Sequence, residues 1–526
     1  MKRFSSILIW LTAVVGVQMA CAQFPSAASS GATSSAASLP ASGRMNQGAV
    51  GVAEQPVAGT TTSVNTLNPA VQISGPFSGS ARSKMPFSGK LSLEDALQRG
   101  LAFNLGAIGL ADNLRQSGAQ VKVARSALLP NLMGSASETV EQVDLATFGI
   151  RFNVPGALGG FHFPSVVGPF NYMELQASLS QTVANLTELN NYRSARATAR
   201  AGLYSLQDAR DLVTLAVGGA YLQTLAAQAR VEAAQADLDT ANAVFHQSTE
   251  QHGEGVLGKL NVDQSQVRAL SQQQQIITLR NDLAKQKINL ARMTGLPPNA
   301  GYQLTERFAY SPVPLANVED AVVQAERERP DAKAAAEQVK AAEKALAAAR
   351  AERLPSLSVS AQYEYLGTNP AHLNPAYSAV GTLTIPIWQG GRVGGDIAQA
   401  QAVLAQRQAE LEDTRGEIEA EVRQVYLDLE AAAGQVELAR KNLDVAGEAL
   451  EMTRARMEAG VINTVEVVQA QQTEANARLD LVNAVFAHNL AKLNLARALG
   501  HASDHLRSML RAENGEGPAV TGSARP

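Results

Sequence analysis

Two glycine-rich segments come closest to a motif that performs chemistry. Gly253-x-x-x-x-Gly258-Lys259 has most of the phosphate-loop pattern, in which backbone N–H groups cradle the phosphates of a nucleotide. Leu260 replaces the Ser or Thr that such a loop needs, and the residues before it are polar rather than a buried strand. The run Gly390-Gly391-Arg392-Val393-Gly394-Gly395 fits a turn between a strand and a helix. Neither segment predicts nucleotide binding.

The other reactive side chains form no site that the sequence can show. The seven histidines lack the spacing of zinc ligands, and His246 and His252 would lie on different faces of a helix. No grouping of Ser, His, Cys or carboxylate residues indicates catalysis. The sequence therefore predicts a protein that is not an enzyme and that holds neither a metal nor a cofactor.

Length, charge and composition bound the class of protein. The chain has 526 residues and a formal net charge of −4, which argues against nucleic acid or an anionic membrane surface as the main partner. Aromatic residues make up only 5%, whereas Ala and Gln are plentiful. This composition favours long helices over a compact core built around large side chains.

The N-terminus has the features of a secretory signal peptide over residues 1–22. Lys2 and Arg3 precede a short apolar stretch, and Ala20-Cys21-Ala22 offers a small-residue cleavage site before Gln23. Cys21 is the single cysteine, so the exported chain can form no intramolecular disulfide. Lipid attachment at Cys21 is the alternative to simple cleavage, and the chain is exported in either case.

The rest of the chain divides into a leader, two repeats and a tail. Residues 23–90 are rich in Ser, Ala, Gly and Thr, which predicts a flexible low-complexity leader. The two repeats cover residues 91–300 and 301–500, and residues 501–526 are expected to be a disordered tail. The sequence 124–132 recurs at 349–357, an offset of 225 residues, whereas from about residue 180 the offset is 205. Copy one therefore carries about 20 extra residues, in the Gly- and Pro-rich stretch 148–170.

Each repeat combines two periodicities. In copy two, Leu357, Val359, Ala361, Tyr363 and Tyr365 alternate with polar residues, which predicts a strand with one apolar face. A partner strand is expected from Ala379 through Ile385 and Ile387, with Asn369-Pro370 and Asn374-Pro375 in the loop between. Copy one has corresponding strands starting near Asn131 and Met173. We expect four strands of about ten residues, the length that a tilted strand needs to cross a bilayer.

Long helices are expected around the strands, because no proline occurs in residues 170–296 or 387–517. Apolar or small residues recur in steps of four and three, the seam of a coiled coil, at Ile418, Val422, Val425, Leu429, Ala432, Val436, Ala439, Leu443, Ala446 and Leu450. Matching positions of copy one include Val213, Val217, Ala220, Val231, Leu238 and Phe245. A helix of about 60 residues would be roughly 90 Å long.

The strands and helices together constrain the architecture. Outside the signal peptide, no stretch approaches the roughly 18–20 apolar residues that a spanning helix needs. A bilayer tolerates only helices or closed barrels, and four strands cannot close one, since known barrels have about eight or more. Several subunits must then pool their strands, and three copies would supply twelve.

Repeated strand, strand and long-helix units resemble the TolC-like family of outer-membrane efflux proteins over roughly residues 90–500. The similarity rests on the Leu-Pro-x-Leu that opens the first strand of each copy, and on the order and duplication of three further segments. These are the first-helix segment 91–96, the strand-to-helix segment 385–392, and the paired segments 255–264 and 460–469.

The resemblance implies an α+β, mainly α fold of long coiled-coil helices with four membrane strands. It also implies a homotrimer with a 12-stranded β-barrel and an α-helical tunnel that crosses the periplasm. The implied partners are outer-membrane lipid, a periplasmic adaptor protein and an inner-membrane pump. The implied function is passive export, without nucleic acid as a partner.

The family's gate carboxylates fall on Glu466 and Gln469 of this chain, of which only the first is acidic. Three copies of Glu466 around an opening would form an anionic ring; the alternative is a solvated glutamate early in a helix. Asn261 occupies the matching position of copy one. Met457 and Ile462 occupy positions that help to latch the tip in family members, which argues against the same latch here.

The resemblance places adaptor contact at two helix reversals. The candidate contact residues are small or aliphatic: Gly255, Val256, Leu257, Gly460, Val461 and Ile462. The alternative is that the glycines serve only the turns. Two other functions stay open, a type I secretion outlet for proteins and, in a different class, a periplasmic coiled-coil adaptor or scaffold.

Overall fold

The computed structural model describes residues 61–63, 70–72, 75–82, 85–145, 166–306, 308–313, 317–369, 371–459, 461–462, 464–500 and 502. The expected signal peptide, Cys21, Gly460 and nearly all of the expected tail lie outside the described residues. Within those residues the protein is mainly α-helical, with one four-stranded antiparallel sheet.

The elements before and within the first repeat come in the following order. Two short strands, a 3₁₀ turn and a third short strand come first. Two helices, two long strands and two further helices follow. Their bounds are β1 (Thr61–Ser63), β2 (Ala70–Gln72), the 3₁₀ turn (Gly75–Ser78), β3 (Lys90–Leu91), α1 (Leu93–Phe103), α2 (Leu105–Ser126), β4 (Asn131–Asp144), β5 (Val166–Ala184), α3 (Leu186–Gly253) and α4 (Lys259–Thr294).

The second repeat has the same order of elements after one short strand. Its bounds are β6 (Gln303–Leu304), α5 (Val318–Glu328), α6 (Pro330–Ala351), β7 (Ser356–Asn369), β8 (His372–Thr384), α7 (Arg392–Glu458) and α8 (Thr464–Ala498). The first long strands start at Asn131 and Ser356, so the offset of 225 residues found in the sequence is also the offset of the two strands.

The end of the expected leader differs from the expectation. Residues 75–82 and 85–90 belong to the folded body, because Phe77 in the 3₁₀ turn is fully buried and β3 pairs in parallel with β6. An aromatic ring in an otherwise Ser- and Gly-rich segment finds a site in the core, which offsets the entropy lost when the segment is ordered. The flexible leader was therefore predicted too long.

The four long strands form one sheet in the order β4-β5-β7-β8, and the pair β5–β7 joins the two repeats. The strands have 14, 19, 14 and 13 residues, which is longer than the predicted ten. The register places Tyr363 of β7 opposite Ala177 of β5 and Tyr377 of β8. Because side chains alternate across a strand, these residues share the mainly apolar face of the sheet.

Two details of the predicted hairpin in copy two are wrong. Asn374 and Pro375 lie within β8, paired with Leu366 and Tyr365, rather than in the loop. A proline is tolerated there because β8 is an edge strand of the sheet. The strand ends at Thr384, so Ile385 and Ile387 belong to the turn that leads into α7.

The long helices α3 and α7 have 68 and 67 residues, or about 100 Å at 1.5 Å per residue. The predicted seam of α7, here called its inner seam, is buried except at Ala439 and Leu443, which are half-buried. In copy one, Val213, Val217 and Ala220 are buried, while Val231, Leu238 and Phe245 are half-buried. The helical seam was therefore predicted correctly.

The core lies where α3 passes the short helices. Every residue from Asp211 to Leu222 is buried, and the cluster around them includes Leu490 of α8 and Ile418 of α7. Within the described residues α3 alone is long and apolar enough to span a membrane, but 83% of its most apolar window is buried in the protein. A helix that is apolar all round and covered by its neighbours is a core helix.

Candidate functional site

The first helix reversal is built around a left-handed glycine. α3 ends at Gly253, and Gly255 adopts a φ of +77°. The Val256 N–H donates to the Gln251 carbonyl at 2.8 Å and the Gly255 N–H donates to that of His252 at 3.0 Å. These two bonds are the Schellman motif, which satisfies the carbonyls at a helix end and needs a residue that tolerates positive φ. The phosphate-loop-like segment is thus a turn between two helices.

The second reversal repeats part of that geometry. The Val461 N–H donates to the Arg456 carbonyl at 3.0 Å, which corresponds to the bond between Val256 and Gln251. Gly460, expected at the glycine position of this turn, lies outside the described residues. The two tips therefore share the hydrogen bond that turns the chain.

Each tip exposes a valine at its turn. Val256 and Val461 are both 67% exposed, whereas Leu257 and Ile462 are half-buried. An added Cβ at Gly255 would meet no atom within 4 Å, so that glycine is required for its φ rather than for close packing within the chain. The tips therefore present small, accessible apolar surfaces.

The expected gate residues occupy the first two turns of α4 and α8. Glu466 and Gln469 are exposed on α8, and Asn261 is half-buried on α4. Glu466 lies in the first turn of its helix, where a carboxylate interacts favourably with the positive end of the helix dipole. The structure thus brings Glu466 and Gln469 to one exposed helix start, and Asn261 to the start of the other hairpin's second helix.

Below the second tip, an apolar cluster joins α3 to α7 and α8. Met457 and Val467 are buried with Val244 and Leu450, and Ile462 packs against them. Met457 and Ile462 stand where family members were expected to place latch residues. Here both serve as aliphatic packing, so the contact between the hairpins at this height is apolar.

A buried polar cluster lies further up the same helices. Arg478 of α8 donates to Asp237 of α3 at 3.1 Å and also to Glu474, and Arg268 of α4 donates to Gln472 of α8. Burial raises the pKa of Asp237 to about 6, although the positive charge of Arg478 opposes this rise. The cluster holds the two hairpins together through charges that are largely removed from water.

Sequence reasoning missed this cluster. Asp237 and Arg478 are 241 residues apart and come from different repeats, so no local motif connects them. One available signal was the position of Asp237 and Glu474 on otherwise apolar or small helix faces. Within the described part of the chain, no group of three or more His, Cys, Asp or Glu side chains is placed to hold a metal ion.

The amino-acid sequence of this chain is similar to a protein-family model and to proteins of known function. The family model described as outer membrane efflux protein matches residues 110–296 and 321–501. The pyoverdine export outer membrane protein OpmQ of Pseudomonas aeruginosa is 28% identical over 318 residues, 59% of this chain and 65% of that protein. Outer membrane protein OprJ of the same species is 28% identical over 189 residues, 35% of this chain and 39% of that protein. The matched segment spans less than two thirds of each relative.

Solved structures extend the likeness over more of the chain. The outer membrane protein VceC from Vibrio cholerae has a TM-score of 0.65 at 20% identity, covering 78% of this chain and 96% of that one. The Campylobacter jejuni CmeC outer membrane channel has a TM-score of 0.65 at 17% identity, covering 84% and 96%. At these identities the comparison establishes the fold.

Proposed function

Because the chain belongs to the outer membrane efflux protein family, we propose that it is the outer-membrane channel of a tripartite efflux system. Three copies pool their strands into a 12-stranded barrel and their helices into a tunnel across the periplasm. The channel is a passive conduit for small molecules, and partner proteins supply the energy.

One observation carries this proposal: the four-stranded sheet is open. Within the described residues its outer strands, β4 and β8, each pair on one side only. Strands of 13 to 19 residues are long enough to cross a bilayer, where an open edge would leave N–H and C=O groups without partners. Pairing β8 of one copy with β4 of the next removes every edge.

The chemistry of the two sheet faces supports a barrel. One face carries Leu175, Leu179, Val359 and Tyr363, which suits contact with lipid. On the other face Ser135, Gln176 and Gln362 form a hydrogen-bonded row, with Gln176 donating to Gln362 at 3.2 Å. A polar face lining water and an apolar face toward lipid is the pattern of a membrane barrel.

The helices extend the conduit. Each long helix starts within eight residues of a strand end and runs for about 100 Å to a tip. We assign the exposed Val256 and Val461, with their neighbours at both reversals, to contact with a periplasmic adaptor that is itself coupled to an inner-membrane pump. We also assign Glu466 and Gln469 of α8, together with Asn261 of α4 in the other hairpin, to the narrow entrance at the tips.

Native mass spectrometry on protein extracted by detergent from purified outer membranes tests the assembly. We expect a trimer, and the subunit mass also reports whether the chain begins at Gln23 or carries acyl groups at Cys21. A monomer or dimer that is absent from that membrane would contradict the channel and favour a periplasmic scaffold.

The cargo requires a second measurement. Deletion of the gene should increase intracellular accumulation of a small fluorescent efflux substrate, and the plasmid-borne gene should reverse this. A type I secretion outlet would instead show loss of a secreted protein with unchanged accumulation of small molecules.

A further inference from the structure

A groove of about 410 Å³ lies on the apolar face of the four-stranded sheet. Small residues of β4 and β5 form its floor, and two tyrosines of β7 form one wall. We call it the sheet groove. The residues of the apolar face that line it are all exposed: Gly134, Ala136, Leu175, Ala177, Tyr363 and Tyr365.

The register of the strands explains why the groove forms at this place. One row across the four strands consists of Gly134, Ala177, Tyr363 and Tyr377. The row therefore has two small residues in the first repeat and two tyrosines in the second. A Cβ built at Gly134 would meet only the Gln176 carbonyl oxygen, at 4.0 Å, and the φ of Gly134 is not positive. The fold of the chain does not require glycine there, and the missing side chain leaves room for a ligand.

The height of the groove in the membrane follows from the strand ends. All four strands join their long or short helices at the same end of the sheet, which is therefore the periplasmic end. Tyr365 comes nine residues after Ser356, where β7 starts, or about 30 Å along the strand. At the tilt of barrel strands, about 35–45°, this is roughly 23 Å along the membrane normal, and the apolar band is about 25 Å tall. The sheet groove therefore lies at the level of the outer leaflet.

The tyrosine wall presents a hydrogen-bond donor at this level. The rings of Tyr363 and Tyr365 meet edge to face, with centroids 5.3 Å apart and an interplanar angle of 80°. The Tyr363 hydroxyl donates to the Tyr365 hydroxyl oxygen at 3.3 Å. Because Tyr365 is the acceptor in this bond, its own O–H can donate to a carbonyl oxygen of a ligand. A ring in contact with acyl chains and a hydroxyl among polar heads is the usual setting of tyrosine at a membrane interface.

Polar residues follow at the outer end of the groove. Glu138 lies two residues beyond Ala136 on the same face of β4, and its carboxylate accepts from the Asn171 amide at 3.3 Å. The strands β4, β5, β7 and β8 contain no Lys or Arg. A carboxylate in these surroundings repels a phosphate and accepts hydrogen bonds from hydroxyl or amide N–H groups. The polar head that fits this end therefore carries such donors next to its acyl carbonyl.

We propose that the sheet groove binds an acyl chain of lipopolysaccharide, the glycolipid of the outer leaflet. This inference rests on the proposed function, because it needs the apolar face of the sheet to point toward lipid. The acyl chain lies over Gly134 and Ala177, its carbonyl accepts from the Tyr365 hydroxyl, and a hydroxyl or amide N–H of the sugar head donates to Glu138. Phospholipid is the other source of acyl chains, but it occupies the periplasmic leaflet, below the level of the groove. Each subunit of the trimer carries one such site.

Native mass spectrometry of trimers extracted from outer membranes in mild detergent tests the site. We expect bound lipopolysaccharide on the wild-type trimer, up to one molecule per subunit. Gly134→Leu and Ala177→Leu each fill the groove, the second from the inner strand β5, and both should lose the bound lipid. Gly381→Leu is the matched control. It places the same side chain on the same face of the sheet, opposite Val359 and outside the groove, where a Cβ meets no atom within 4 Å, and it should retain the lipid.

Titration of lipopolysaccharide into delipidated trimers is the second test. The lipid should raise the temperature at which the trimer dissociates, because a ligand stabilises the assembly that binds it. Tyr365→Phe keeps the ring and removes the donor, so it should weaken binding about two- to tenfold, the contribution of one hydrogen bond. Tyr172→Phe removes a hydroxyl from the opposite, polar face of the sheet and should bind like the wild type.

The outcomes separate the site from the channel. If wild-type trimers carry no lipid, carry phospholipid instead, or lose no more lipid in Gly134→Leu and Ala177→Leu than in Gly381→Leu, the lipopolysaccharide site is wrong and the channel stands. If neither groove-filling variant assembles, the titration decides, and equal binding by Tyr365→Phe and Tyr172→Phe overturns the site. If the wild type forms no trimer in the membrane, the proposed function fails with it.

Discussion

The corners between the two short helices of each repeat have the same backbone and opposite chemistry. Asn104, between α1 and α2, has φ −65° and ψ 134°; Arg329, between α5 and α6, has φ −62° and ψ 132°. The Asn104 side chain accepts from the Gly106 N–H at 2.9 Å and donates to the Phe77 carbonyl at 2.7 Å. A neutral amide thus satisfies the first corner.

The second corner depends on ions. The Arg329 guanidinium donates to Asp331 and Glu421, each at 2.6 Å, and Arg497 pairs with Glu421 and lies 4.0 Å from Asp208. Three carboxylates and two guanidinium groups join α3, α6, α7 and α8. Duplication has preserved the backbone, while the groups that satisfy it have diverged, so the two corners should differ in their response to mutation and pH.

The largest expected effect is at Arg329. Arg329→Met leaves Asp331 and Glu421 without their shared partner, and breaking a buried ion pair on one side costs about 3–5 kcal/mol. We expect a marked fall in the thermal midpoint of the detergent-solubilised protein. Arg415→Met is the control, because Arg415 pairs with Glu412 on an exposed face. Equal shifts for the two variants would refute the ionic account of the corner.

The pH dependence of the corner follows from Asp208. Burial raises the pKa of Asp208 to about 6, against the attraction of Arg497. Burial would also raise the pKa of Asp331, but Arg329 holds it below its usual range. Of the three carboxylates, Asp208 has the longest contact with a guanidinium group, 4.0 Å to Arg497, whereas Asp331 and Glu421 each lie 2.6 Å from Arg329.

The sign of the Asp208 effect is set by this raised pKa. Because the pKa of Asp208 in the folded protein lies above its ordinary value of 3.8, the folded state favours the protonated carboxyl. Its contribution to stability is fully present below pH 3.8 and is lost as pH rises through about 6. Asp208→Asn should therefore stabilise the protein at pH 7, by about 2–3 kcal/mol at most, and leave it unchanged at pH 4. Thermal midpoints of both proteins across this range test it; a constant difference would contradict the assignment.

A smaller loss is expected at the neutral corner. Asn104→Ala removes the cap of α2 and leaves the buried Phe77 carbonyl without its donor, which should cost about 1–2 kcal/mol. Asn317→Ala, which removes only the exposed cap of α5, is the matched control and should cost less. If Asn104→Ala is as damaging as Arg329→Met, the two corners do not differ in the way their chemistry indicates.

The parts of the fold that the sequence could predict are those set by local periodicity. The steps of four and three from Ile418 to Leu450 identified the buried face of α7, and alternation in β7 identified its two faces. Strand ends were less predictable, because Pro375 is compatible with an edge strand and only the pairing with Tyr365 shows that β8 includes it.

Long-range polar contacts could not be predicted. Arg329 and Arg497 each resemble an ordinary surface arginine in sequence, and only the fold brings them to Glu421 from 92 and 76 residues away. The same holds for Asp237 and Arg478 near the tips. At the candidate entrance, the family resemblance named Glu466 and Asn261, and the structure places both at the start of the second helix of a hairpin.

Substitutions at Asn261 and Glu466 test the comparison between the repeats directly, and they have the smallest expected effect. Asn261 and Glu466 are equivalent by the repeat offset, and only Glu466 is acidic. If Glu466 lines the entrance in three copies, Glu466→Asn should lower the cation-to-anion permeability ratio in planar bilayers up to about fivefold, since charges near 4 Å in water interact by roughly 1 kcal/mol.

The exchange variant Asn261→Glu/Glu466→Asn keeps three carboxylates but moves them to the other hairpin. Recovery of the wild-type permeability ratio would mean that both hairpins line one entrance at the same height, as the level contact between Arg268 and Gln472 indicates. A ratio that stays as low as that of Glu466→Asn alone would mean that the entrance is formed by α8 and that the half-buried Asn261 faces a neighbouring helix. Either result shows whether the face of α4 that carries Asn261 points toward the entrance or toward a neighbouring helix.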